Sequence, residues 1–442
     1  MSLLSLPFEL LIAVISHLSA NQYDFDNVDH YYKPDVTLYR LAQTCTTLGD
    51  LCIPKLYEII NLQTYVYFSR QRKLLRTLAA KPNLARLVKR VIVDGSFSND
   101  AKWHRYSDDG PVISVADAKT FNEIMEKKVD MTTVTPFREM QQADLTERHD
   151  CKSLGRSLSC LSLALVPNIR SVIFILHYGS LGSFKTDSFP LLKDFSLQHA
   201  DTEFGVAFEA ANGVLHAAPG VNRFIGRAVD RFADNISYPS IKKLVLVYSC
   251  IDDEDMALLP TLVPNLESFS HSYGGSMVSY ESPASPRTIS TALLALKKTL
   301  KHVELDIYYR GDEMWINIDA DDGIMESLSQ MQTLQSLIIL ASYVYPGKEF
   351  DASLTSRKLT LVNFLPRSIE TLHIEELKSD HLQDVLDLAA AAPAKFSKLS
   401  HVRLPEFDTS LHDDVCRAFH QLGIACSFET VEMDEYTTAD CA

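Results

Sequence analysis

The chain has 442 residues, 46% of them hydrophobic; this is enough to bury a large core, so a disordered protein is excluded and two or three domains or one extended repeat array are expected. Its 57 acidic and 42 basic residues leave a net charge of −15, which repels phosphate backbones and anionic headgroups and argues against nucleic acid or a membrane surface as a general partner. The eight cysteines are scattered, form no C-x-x-C pair and sit mostly in apolar stretches as small buried hydrophobes do, which fits a reducing compartment, cytoplasm or nucleus.

The first residues, MSLLSLPFELLIAVISHLSA, imitate a secretory signal, but no Lys or Arg precedes the apolar run and Pro7 and Glu9 interrupt it. No stretch reaches the roughly 18 uninterrupted apolar residues of a membrane span, so none is expected. Leu6, Leu10, Leu11, Val14, Ile15 and Leu18 recur at helical spacing and predict an amphipathic helix over 7–18. Pro7 suits its first position, and Glu9 meets the positive end of the helix dipole. A second helix is predicted over 36–46, where Leu38, Leu41, Ala42 and Cys45 share a face, and a third from Leu48 toward Tyr57, with Pro54 as a break or fresh start. Three helices in so short a span make a core that is marginal alone.

These segments carry three ordered pieces: Leu6-Pro7-Phe8-Glu9-Leu10-Leu11, then Leu38-Tyr39-Arg40-Leu41-Ala42-Gln43-Thr44-Cys45, then Pro54-Lys55-Leu56-Tyr57. Together they resemble an F-box of the filamentous-fungal type, with its L-P-x-E-L-L, L-x-x-L-A-x-T-C and P-x-L-Y pieces. The resemblance implies a three-helix unit whose exposed apolar residues grip the Skp-type linker of a cullin-based ubiquitin ligase. Carried over, the grip is Leu6, Pro7, Leu10, Leu11 and Ile15, backed by Leu41 and Cys45. The connection 19–35 departs from the family in being longer, more acidic and more aromatic. The same periodicity also suits a helical cap that packs only on the following domain.

From residue 80 onward a phrase recurs in which an apolar residue is followed by others three and five positions later, often after Pro-Asn or Pro-Ser. It begins irregularly at Leu84-Leu87 before the run 88–93. It then reads Ile169-Val172-Phe174, Leu192-Phe195-Leu197, Ile241-Leu244-Leu246, Leu266-Phe269-His271, Leu300-Val303-Leu305, Leu334-Leu337-Ile339, Ile369-Leu372-Ile374 and Leu399-Val402-Leu404. The last five start 34, 34, 35 and 30 residues apart. Such a period is a repeat architecture, because each unit buries its apolar face only against its neighbours. The second and third apolar residues point to one face of a strand, and helix-like stretches at 288–298, 323–331 and 379–392 separate the phrases. The pattern resembles leucine-rich repeats in degenerate form, since Ser249, Tyr308, Ser342 and Phe407 replace the usual asparagine or cysteine. An α/β domain with several parallel strands carries similar alternation, but here the unit length recurs and no phosphate-binding glycine loop is present.

The expected fold is thus an α/β solenoid: an F-box-like helical module (1–62), a linking helix, first strand unit and polar insertion (63–150), a leucine-rich-repeat-like curved array (151–428) and an acidic tail (429–442). Residues 96–150 do not repeat; a helix is predicted there over 116–128.

The usual nucleotide, dinucleotide, zincin and serine-hydrolase motifs do not occur, and no cofactor is expected. The stretch from Asn317 to Gly323 fails as a calcium loop, because Asp322 stands at the turn glycine and Leu328 at the bidentate glutamate. The acidic groups 252–255 and 319–322 each precede a predicted helix, where carboxylates cap free N–H groups. Cys416 and His420 sit four apart on a predicted helix with no second ligand pair, so packing is expected rather than metal. On a solenoid the outward strand positions form the recognition face: Asp194, Ser196, Gln198, Lys243, Val245, His302, Glu304, Asp306, Ser336, Ile338, Thr371, His373, Glu375, His401 and Arg403. This mixture suits a protein epitope better than a phosphorylated ligand, which would call for clustered arginines. The expected function is a non-catalytic substrate-recognition adaptor, with a Skp-type linker and through it a cullin as partners, and a protein target on the repeats. The alternatives are a scaffold built of the same parts and an α/β enzyme, which would need a deep pocket of converging titratable groups.

Overall fold

A computed structural model describes residues 6–20, 36–62, 68–94, 113–142, 148–176, 181–199, 205–273, 283–307, 323–345, 359–406 and 409–429. The loop at 21–35, the first part of the insertion, the acidic stretch 319–322 and the tail beyond residue 429 lie outside them. The chain divides into two compact units, one of residues 1–200 with 209–222 and the other of residues 201–208 with 223–442.

The first unit opens with α1 (Phe8–Ala20), α2 (Val36–Ala42) and α3 (Thr46–Leu56). The Pro7 carbonyl accepts from the Leu11 N–H, so the proline starts α1 as its sequence position predicts. Ile15, Leu38 and Cys52 form a small core, with Leu18, Leu41, Ala42, Leu51 and Leu56 against it. Pro54 does not break α3. It sits in the last turn, where the helix is ending and the Tyr57 N–H still reaches the Ile53 carbonyl. The module is followed by β1 (Ile59–Leu62), α4 (Phe68–Ala80), α5 (Pro82–Ala85), β2 (Arg90–Asp94), α6 (Val115–Lys128), α7 (Arg148–Leu165), β3 (Ser171–Leu176) and β4 (Asp194–His199), the strands pairing in parallel in sequence order. In this region the phrase that enters the core is Val88-Val91-Val93, all buried, rather than Leu84-Leu87. Arg76 on α4 grips Asp117 on α6 through two parallel hydrogen bonds, Nε to Oδ1 at 2.6 Å and an Nη2 contact to Oδ2, which fastens the non-repeating insertion to the linking helix.

The second unit contains β5 (Val206–Ala207) paired with β7 (Val229–Arg231), and a parallel sheet in the order β6 (Arg223–Arg227), β8 (Lys243–Val247), β9 (Ser268–Tyr273), β10 (His302–Ile307), β11 (Ser336–Leu340), β12 (Thr371–Glu375), β13 (His401–Pro405) and β14 (Ala425–Glu429). Returning segments include α9 (Asp253–Leu262), α10 (Pro286–Ala295), α11 (Leu361–Phe364), α12 (Leu382–Lys395) and α13 (Thr409–His420); the short α8 (Asn212–Leu215) belongs to the first unit. The helix expected over 323–331 is a single 3₁₀ turn at Leu328–Gln330, since Ser327 accepts from the Ser329 N–H and the chain turns at Met331.

Strand register explains the phrase. Phe224, Leu244, Phe269, Val303, Leu337, Leu372, Val402 and Cys426 stand opposite one another across the sheet. Beside them, Gly226, Leu246, His271, Leu305, Ile339 and Ile374 form a second inward ladder. Burying such a leucine is worth about 2 kcal/mol before the cavity left by its removal is counted. The turn residue just before four of the phrases also has a role. Asn168 Nδ2, Asn265 Nδ2, Thr333 Oγ1 and Ser368 Oγ donate to the carbonyls of Arg86, Pro239, Leu300 and Leu334 in the preceding unit, at 2.8, 3.0, 2.8 and 2.7 Å. These bonds satisfy backbone carbonyls and tie each of these turns to the repeat before it. Ser249 acts similarly from its own position: buried, it accepts from the Val229 N–H at 3.1 Å and donates to the Val247 carbonyl.

Candidate functional site

Two surfaces collect the residues the sequence singles out. On α1, Leu11 and Ile15 are 5% and 3% exposed and hold the helix onto its own module, so they offer no surface to a partner. The stripe is wider than the small core can cover. Leu10 and Val14 flank it on one side and Phe8 and Ile12 on the other, by helical spacing, and all four are exposed large hydrophobics. Val36 and Tyr39 on α2 and Ile53 on α3 add to this apolar exposure. Of the expected grip, Pro7 and Leu10 are exposed, while Leu6, Leu41 and Cys45 are half-buried. Periodicity alone does not distinguish the inward stripe from its shoulders: Val14 belongs to the predicted stripe yet is exposed, and Phe8, Ile12, Val36 and Tyr39 are exposed apolar residues outside the expected grip. Apolar residues flanking both sides of a predicted stripe were the available signal.

The second surface is the outward face of the second unit's sheet. Register aligns Val245, Ser270, Glu304, Ile338, His373, Arg403 and Ser427 in one row, and Lys243, Ser268, His302, Ser336, Thr371, His401 and Ala425 in the next. Twelve of the fifteen expected face residues, Lys243, Val245, His302, Glu304, Asp306, Ser336, Ile338, Thr371, His373, Glu375, His401 and Arg403, lie on this face, half-buried or exposed. Ser268, Ser270 and Ser272 of β9 join them; the alternation in Ser-Phe-Ser-His-Ser-Tyr carried that information. Ser270 Oγ donates to Glu304 Oε2 at 2.9 Å, coupling neighbouring strands. Burial, helped by the Arg403 charge, pushes the His373 imidazole down to about 4, so its 3.9 Å approach to Glu375 involves a neutral ring at neutral pH.

Asp194, which is half-buried, and Gln198 are not in the second unit. They lie on β4 in the first unit, where Ser196 and Gln198 are buried and the Gln198 amide donates to Ser196 Oγ at 3.2 Å. The preceding strands β2 and β3 are buried on both faces, Ile92 and Ile173 as much as Val91 and Val172, the near-continuous pattern of parallel strands covered on both sides.

The acidic group at 252–255 starts a helix as expected, Asp252 Oδ1 accepting from the Asp255 N–H at 2.8 Å. Cys416 lies on α13 beside Cys426 of β14, and burial raises the Cys426 thiol to about 12. Among the described residues no group of His, Cys, Asp and Glu is placed to hold a metal ion, and no helix is long and apolar enough to cross a membrane.

A family model described as a leucine-rich repeat domain matches residues 221–433, the span of the second unit's sheet. No curated protein matches the chain. Residues 221–433 are therefore a leucine-rich repeat domain.

Proposed function

We propose that this chain, with a leucine-rich repeat domain at its C-terminal side, is the substrate-recognition adaptor of a Skp-cullin-F-box ubiquitin ligase. The N-terminal module docks on the Skp-type linker, the outward face of β8–β14 holds a protein target, and a separate conjugating enzyme transfers ubiquitin. The adaptor supplies proximity rather than bond-making groups. The observation that carries the docking half is the exposed apolar surface of Phe8, Leu10, Ile12 and Val14 on a helix already anchored by Leu11 and Ile15. Exposed clusters of this kind mark interaction sites. The target half is supported by the repeat match and by the mixed polar and apolar rows between Lys243 and Arg403.

The test is a pull-down of a recombinant Skp-type linker with wild type and with Phe8→Asp plus Leu10→Asp. Both side chains are exposed, so the variant should keep the wild-type circular dichroism spectrum while losing the linker. Retained binding, or no binding by wild type, would remove the docking assignment. A cullin in the wild-type pull-down supports the ligase; the linker without a cullin turns the reading into the scaffold made of the same parts.

A further inference from the structure

The non-repeating insertion between β2 and β3 builds a feature that recruitment on the sheet does not use. Within the first unit, α6, the turn after it and α7 line a cavity of about 530 Å³, a volume in the range of small-molecule sites. Its walls are set by specific bonds. Asn122 Oδ1 accepts from the Phe137 N–H at 3.0 Å, Ser157 Oγ donates to the Thr135 carbonyl at 2.8 Å, and the Ser183 N–H donates to Thr133 Oγ1 at 2.9 Å.

Two side chains on this lining carry donors that the described residues leave unused. Asn122 is only 8% exposed and its oxygen is already used, yet its amide NH₂ meets no acceptor among the described residues. The Arg156 guanidinium, also on the lining, makes no ion pair or hydrogen bond among the described residues. A guanidinium and an amide NH₂ on one lining can both donate to an oxyanion. The cavity is larger than a bare oxyanion needs, and Met131, Val134 and Pro136 supply an apolar wall. Glu126 on the same lining disfavours a polyanion, while Arg138 is within 3.9 Å of its neighbour Glu139.

We propose that this cavity binds a small organic monoanion, its carboxylate or phosphoryl oxygens on Arg156 and the Asn122 amide and its apolar body against Met131, Val134 and Pro136. This site is independent of linker docking and of the sheet face.

Calorimetric titration of the full chain with phenylacetate, phenyl phosphate and neutral benzyl alcohol tests it. At least one anion should bind saturably in the millimolar range and about tenfold or more tighter than the alcohol, and the two anions discriminate carboxylate from phosphoryl recognition. Arg156→Gln should weaken that anion by about tenfold, the effect of one charge-assisted contact. Asn122→Asp should weaken it at least as much, because it keeps the oxygen that Phe137 needs and replaces the donor. If Asn122→Asp does not fold, Arg156→Gln, an exposed side chain, decides alone. No saturation by either anion up to about 20 mM, equal binding of the alcohol, or anion binding unchanged in Arg156→Gln would each overturn the site.

Discussion

His271 occupies a position in the inward ladder that Leu246 and Leu305 fill on either side, which makes His271→Leu an informative perturbation. The imidazole is 3% exposed, its Nε2 lies 3.1 Å from the Ser249 carbonyl, and its Nδ1 has no hydrogen-bond partner among the described residues. The contact requires the proton on Nε2, leaving Nδ1 a bare acceptor that nothing satisfies. Burial lowers the ring's pKa from 6.5 to about 4, with the Ser249 carbonyl opposing it only in part. The unfolded chain therefore binds a proton between these values that the folded chain does not. The histidine's contribution to stability is intact above pH 6.5 and is lost as pH falls toward 4. Linkage gives a loss of about 2 kcal/mol at pH 5 and about 3 kcal/mol at pH 4, relative to pH 7.5. In His271→Leu this loss disappears. At pH 7.5 the variant should lie within about 1 kcal/mol of wild type, since an added apolar side chain offsets the hydrogen bond it removes. Urea unfolding of both proteins by circular dichroism at pH 7.5 and 5.0 measures the difference, with the remaining titrating groups common to both. Equal acid destabilisation in the two proteins, or a His271 ring resonance that titrates near pH 6 in the folded state, would refute the reasoning.

Four further outcomes follow from the same packing. Leu337→Ala, in the middle of the first ladder, should cost about 2–5 kcal/mol in urea unfolding through lost burial and the cavity left behind. Gly226→Val should be at least as damaging to the thermal melt, because a Cβ there would stand 2.5 Å from a Val229 methyl and 3.0 Å from a Leu246 methyl. Thr333→Val, which keeps the shape but removes the bond to the Leu300 carbonyl, should cost about 1 kcal/mol in urea unfolding. Burial raises the Asp255 carboxyl to about 6, against the Phe232 N–H that lowers it, so its ionised form weakens the fold above pH 6 and the penalty falls away as pH drops through 6 toward 3.8. Asp255→Asn keeps an acceptor for that N–H and should stabilise by about 1 kcal/mol at pH 7.5, a value reduced for partial solvent screening, with almost no gain at pH 4.

In the parallel sheet of the second unit, two strands, β6 and β14, fall outside the phrase because of a glycine. In β6 the phrase reads Val221-Phe224-Gly226, and into β14 it reads Gly423-Cys426-Phe428; in each a glycine stands where an apolar side chain was sought. At Gly423 the backbone has φ of +74°, a conformation glycine adopts without a Cβ penalty, and at Gly226 neighbouring methyls already fill the space. A pattern of side chains registers neither a position filled from next door, as at Gly226, nor one set by backbone conformation, as at Gly423.

The sequence by itself determined the repeat, its inward ladders, the helix start at Asp252 and the amphipathic character of α1, because each depends on periodicity or on contacts a few residues apart. Only the tertiary structure decided which of those apolar residues are surface. Leu11 and Ile15 face inward while Leu10 and Val14 do not, since a core as small as Ile15, Leu38 and Cys52 covers one narrow arc of a wider stripe. Likewise Glu304 and Gln198 both sit at outward strand positions in the phrase, yet Glu304 is exposed and Gln198 is buried. Alternation assigns a side chain to a face of the sheet; whether that face meets water depends on what packs over it, and that depends on residues far away in the chain.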